Sequence, residues 1–228
     1  MLDVFKVADV LVSDAVGKYG DEIDIIGYYG SYAQGTASER SDLDIFYIPA
    51  DGKNPPVAKT VLIDGLLFDF WAIDWKTMNG FATGHLRGWS LAPALVYYTK
   101  LLYSRSPEQS ERFAHLKQII DDQRHPDNRA KMVERALEMY KSVCVHLVNL
   151  HIAVKNNDFA DIRHSGWSFI LAVWECLALA NQVLMDKGWS DIINQIPKLN
   201  YRPADLTEMI IIISTSSDTD QVIQFADR

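Results

Sequence analysis

Apolar positions follow two rhythms along this chain. In residues 2–18 they recur at helical spacing (Val4, Val7, Ala8, Leu11, Val12, Ala15, Val16), and Tyr19-Gly20 supplies a stop, so the stretch reads as an amphipathic helix. Residues 23–29 form a short apolar and aromatic run ending at Gly30, the pattern of a buried strand. Residues 42–48 alternate, with Leu43, Ile45 and Tyr47 on one side and Asp42, Asp44 and Phe46 on the other, so both aspartates face one surface of that strand. After a loop at 51–56, rich in Gly, Asn and Pro, residues 60–63 and 66–73 flank Asp64-Gly65, a pair suited to the tight type I′ turn of a hairpin. Residues 101–103 read as a last strand, and helix begins near Pro107.

Beyond that point the period is helical throughout. From Ala130 to Val154 the positions Val133, Leu137, Tyr140, Cys144, Leu147, His151 and Val154 alternate in steps of four and three, the expected seam of a bundle helix. The stretch Trp167 to Met185 is apolar almost all round and reads as a helix inside a bundle or at a subunit contact. The whole is therefore expected to be α+β: a mixed sheet flanked by helices in residues 1–106, then a helical bundle in 107–228, with the change falling near 105–126. There is no internal repeat.

Composition narrows the functions this architecture can serve. The chain has 228 residues, 48% of them hydrophobic, enough to bury a real core. Its net charge of −8 repels phosphate polymers, so nucleic acid is not the expected partner. Cys144 and Cys176 sit in apolar helical stretches without C-x-x-C spacing and read as reduced packing residues. Asp3, Asp9 and Asp14 break what a signal peptide would need, and no apolar run is long enough for a bilayer, so a cytoplasmic protein without membrane contact is expected.

The chemistry concentrates in residues 30–44, GSYAQGTASERSDLD. Gly30 lets backbone approach a phosphate, Ser31 adds a hydroxyl donor, and a helix starting there would aim unpaired N–H groups at an anion. Asp42 and Asp44, spaced i, i+2 on a strand, project together as hard oxygen ligands of the kind Mg²⁺ takes. Asp69 is a lone acid between Phe68 and Phe70; burying it unpaired would be costly, and a place as third metal ligand would offset that cost.

Gly30, Ser31, Asp42, Asp44 and Asp69 together resemble the active-site pattern of the polymerase β-like nucleotidyltransferase superfamily. The match covers about the first hundred residues, and the spacing after Ser31 is similar to that of the aminoglycoside (kanamycin) nucleotidyltransferases, which also carry a C-terminal helical domain. Gln34 departs from them where they have a basic residue, and Asp44 where they have a longer acid.

The resemblance implies a metal-dependent enzyme that moves a nucleoside monophosphate from ATP or another nucleoside triphosphate to a hydroxyl of a small acceptor, an aminoglycoside-like antibiotic among the candidates. Two Mg²⁺ ions would be held by Asp42, Asp44 and Asp69, with Gly30 and Ser31 on the nucleotide's phosphates. It implies a glutamate base at Glu138, with Asp69 as the competing proton acceptor, and a homodimer whose subunits share a site. The residues themselves leave alternatives open. Glu138 also reads as part of a solvated helix face with Glu134 and Lys141, and Glu175 is a rival base if buried, or else an ion-pair partner. His146 and His151, five apart, do not share a helix face as zinc ligands would, and read as structural. A regulatory or antitoxin-like nucleotidyltransferase acting on a partner protein is the alternative function, and a catalytically inactive nucleotide-binding module a third.

Overall fold

The computed structural model describes residues 3–86, 88–185, 187 and 191–228; Leu2 of the first expected helix lies outside them. The chain divides into two compact units, residues 1–121 and 122–228.

The first unit is built on a five-stranded mixed sheet in the order β3-β4-β2-β1-β5. Strands β1 (Ile23–Tyr29) and β2 (Leu43–Pro49) are antiparallel, β2 pairs in parallel with β4 (Leu66–Ala72), and β3 (Lys59–Ile63) and β5 (Lys100–Ser104) are antiparallel to their neighbours at the edges. The β3–β4 turn needs two residues in the left-handed region, and Asp64 (φ 50°) and Gly65 (φ 79°) supply them.

Strand alternation divides the sheet into two unlike faces. On one, Ile26, Tyr28, Leu43, Ile45, Tyr47, Phe68 and Phe70 form a continuous core with Val4, Ala8 and Ala15 of α1 (Val4–Tyr19) and Ala33 of α2 (Gly30–Gln34). On the other lie Tyr29, Phe46 and Trp71, whose rings meet one another at 6.1 to 6.3 Å, together with Asp44 and Asp69. The sequence passed over two short helices here, α3 (Trp75–Ala82) and α4 (Ala92–Tyr98).

The helix α5 (Pro107–Arg124) belongs to the first unit for most of its length, so the unit boundary falls near 121 and not at 106. The reason is packing: Phe113 stacks on Phe46 at 6.2 Å, and Lys117 Nζ donates to the Thr99 carbonyl at 2.7 Å. A half-buried ion pair ties the end of β5 to β1. Asp24, 1% exposed, meets Arg105 at 2.6 Å and accepts from the Trp75 indole at 2.8 Å.

The second unit is helical: α6 (Arg129–Asn156), α7 (Phe159–Asn181), α8 (Ile192–Gln195), α9 (Leu206–Thr215) and α10 (Thr219–Ala226). The seam of α6 differs from expectation. Its buried line is Met132, Ala136, Val143, Leu150 and Ala153, one step round from the expected row, and Leu137, Tyr140, Cys144 and His151 are exposed. Small side chains let helices approach closely, so the alanine-bearing row faces inward while the bulkier row stays outside. Close approach recurs at Gly166 on α7, where a Cβ would lie 2.9 Å from Ile213.

Helix α7 starts earlier than expected, because the Asp158 carboxylate accepts from the Asp161 N–H, and ends earlier, at left-handed Gln182 (φ 54°). The Gln182 amide donates to the carbonyls of Gln123 and His125, both at 2.9 Å. His151 pairs with Asp227 at 2.8 Å, a structural contact. Both cysteines are free thiols, and among the described residues no helix is long and apolar enough to cross a membrane.

Candidate functional site

The register of the sheet brings the first-unit candidates together. Asp44 stands opposite Asp69 across the parallel β2–β4 pair and opposite Tyr29 across the antiparallel β1–β2 pair. Asp42, expected on the strand, lies exposed just before β2 begins at Leu43, and its charge acts on Asp44. Strands lie about 4.8 Å apart, which puts the three carboxylates within one another's fields. Burial, with the charges of Asp42 and Asp69 added, pushes the Asp44 carboxyl up to about 6.

Gly30 follows directly. Its φ is +74°, and a Cβ there would lie 3.2 Å from Asp44 Oδ2. Any larger residue would be strained and would crowd the carboxylate, so glycine is required twice over. Ser31 follows on the bend, and Gly35 (φ 71°) closes α2 by donating to the Ser31 and Tyr32 carbonyls. Since α2 is only five residues long, its dipole is small, and what the bend offers an anion is local backbone N–H groups and the Ser31 hydroxyl.

Two groups that sequence reasoning missed complete this face. Thr60 on β3 is the register partner of Asp69 and donates its hydroxyl to Asp69 Oδ1 at 2.6 Å. Tyr29 is pushed well above its ordinary range by burial, with Asp44, Asp69 and Asp42 adding to the rise and the neighbouring Trp71 indole opposing it, so it stays a neutral hydroxyl. The signal for Tyr29 and Trp71 was present: Tyr29 adjoins Gly30, and Trp71 is two residues past Asp69 on the same strand.

The donor set suits a hard divalent cation: three carboxylates within one another's fields, mutually repulsive until a positive charge arrives. Among the described residues no three His, Cys, Asp or Glu side chains are already arranged to hold a metal ion, and Asp69 is engaged by Thr60.

The proposed glutamates belong to the other unit. Glu138 is exposed on α6. Glu175 is buried on α7 within the field of Arg135, which also feels Glu138; this is the ion-pair alternative for Glu175. Burial lowers the Arg135 guanidinium from its usual range, and the two glutamates oppose that shift.

A cavity of about 430 Å³ has Tyr29 and Trp71 in its lining, together with Asp74, Thr77 and Phe81, and not the three carboxylates themselves. The fold as a whole has a counterpart among solved structures. A nucleotidyltransferase-like protein from Exiguobacterium sibiricum superposes with a TM-score of 0.53 over 96% of this chain and 71% of that one, at 10% identity. The fold is nucleotidyltransferase-like. No protein-family model and no curated protein matches the sequence. The likeness therefore extends to architecture, including the helical second half, while the acids come from this chain's own sequence and register.

Proposed function

We propose that the protein is a nucleotidyltransferase that moves a nucleoside monophosphate from ATP or a related triphosphate to the hydroxyl of a small acceptor. The observation that carries this reading is the meeting of Asp44 and Asp69 as register partners, with the charge of Asp42 acting on Asp44 and with Gly30 set so close that a Cβ would lie 3.2 Å from Asp44 Oδ2. A nucleotidyltransferase-like fold around that arrangement supports it.

In this reading Asp42, Asp44 and Asp69 hold Mg²⁺, and the ion when bound would neutralise the triphosphate and lower the cost of ionising the acceptor hydroxyl. The Gly30–Ser31 backbone and the Ser31 hydroxyl take the departing phosphates. The acceptor oxygen forms a bond to the α-phosphorus as the bond to pyrophosphate breaks, and the hydroxyl proton passes to Asp69, with Glu138 the other candidate. Thr60 orients Asp69 through its hydrogen bond.

An aminoglycoside-like antibiotic is one acceptor consistent with this reading, and a homodimer in a reducing, cytoplasmic setting fits the two free cysteines and the apolar row exposed on α6. The test is incubation with labelled ATP and Mg²⁺ against an antibiotic panel and against cell lysate. Label on a small molecule supports the proposal, label on a protein supports the regulatory alternative, and no label on either overturns both.

A further inference from the structure

We propose that α6 is the surface on which two copies of this chain associate, paired α6 against α6 in antiparallel fashion about a twofold axis between Cys144 and Val145. The inference rests on the homodimer reading for its occupant and on the helix itself for its geometry.

The buried line of α6 turns one side of the helix inward and leaves another bare. Leu137, Tyr140, Val145, Val148 and Ile152 are each at least half exposed, and Cys144 is exposed among them. Steps of seven, four and four keep Leu137, Cys144, Val148 and Ile152 on one sector of the helix, with Tyr140 and Val145 at its flanks. A contiguous apolar strip of this kind on a surface helix marks a contact with another macromolecule.

The charges around the strip select a second copy as its occupant. Glu134 precedes it and Lys155 follows it, both exposed and about 32 Å apart along their own helix, too far to meet within one chain. An antiparallel copy sets Glu134 against Lys155 at each end, Leu137 against Ile152, Lys141 beside Val148, and Cys144 against Val145. All four pairs are centred on the same point, midway between Cys144 and Val145, so one register satisfies them together. A parallel pair would instead set Glu134 on Glu134 and Lys155 on Lys155, with the two helix dipoles aligned. Repulsion between copies is also least here. The chain carries a net charge of −8, yet along this helix exposed Lys131, Lys141 and Lys155 stand against exposed Glu134 and Glu138. Helices packed about 8–10 Å apart bring residues on the facing line within disulfide reach, so the two Cys144 thiols beside the axis report the register directly.

The full chain is measured by gel filtration with light scattering, at micromolar concentration in reducing buffer. A particle of twice the 25.8 kDa chain mass is expected. Val148→Glu places a carboxylate in the middle of the strip and should give a monomer whose circular dichroism and melting temperature match those of the wild-type chain. Glu134→Lys should weaken the dimer roughly tenfold, and adding Lys155→Glu should restore it. Copper-phenanthroline under air, with dioxygen taking the two electrons, should join Cys144 of two copies by a disulfide; Cys144→Ser removes the link and Cys176→Ser keeps it. A wild-type monomer, a charge swap that fails to restore association, or a link that needs Cys176 would each overturn the pairing. A dimer that persists in folded Val148→Glu sinks this surface and leaves a homodimer held elsewhere. Light scattering reads assembly alone, so the expected dimer in a chain that transfers no nucleotide supports the pairing and sinks the enzymatic reading.

Discussion

The two faces of the sheet in the first unit are written by alternate residues of the same strands, yet they are built for opposite ends. One face packs Leu43, Ile45, Tyr47, Phe68 and Phe70 against α1 and is closed. The other intersperses Asp44 and Asp69 with Tyr29, Phe46 and Trp71, and keeps a cavity open. A period of two thus lets one strand carry stability and chemistry without mixing them, and substitutions one residue apart should have effects of different kinds.

The largest expected effect breaks the open face. Asp42→Asn or Asp44→Asn should lower nucleotidyl transfer by at least about a thousandfold in a steady-state assay, with the circular dichroism spectrum unchanged. An active, folded Asp42→Asn protein would defeat the site. On the closed face, Phe68→Ala should cost about 3–5 kcal/mol in urea unfolding while the folded fraction keeps its turnover. Asp24→Ala, outside both groups, leaves the Arg105 guanidinium and the Trp75 indole without their carboxylate. About 2 kcal/mol is expected, less than for a fully enclosed pair because Arg105 is 38% exposed. The smallest effect sharpens the contrast. In metal-free buffer Asp44→Asn should melt at or slightly above the wild-type temperature, since it removes one of three repelling carboxylates. A marked drop by calorimetry would mean that Asp44 is structural.

Much of this was legible because it is local. The alternation around Asp42–Asp44, the Asp64-Gly65 turn and the lone Asp69 between phenylalanines each declare a face or a bend within a few residues. Thr60 escaped notice because its part in the site depends on cross-strand register with Asp69, which no short window contains, whereas Tyr29 and Trp71 stand beside the motif residues. The buried line of α6 was misread for a related reason. That helix carries apolar residues on two neighbouring rows, and only close packing against α7, where the Ala136 carbonyl accepts from Cys176, decides which row turns inward. The end of the first unit was hidden too, since nothing near Pro107 signals that Phe113 stacks on Phe46.

That stacking has a practical side. A fragment cut after β5 would bare the flat ring of Phe46, together with the Thr99 carbonyl that Lys117 caps. Dissecting the molecule into working halves therefore means leaving α5 attached to the sheet, as part of its roof.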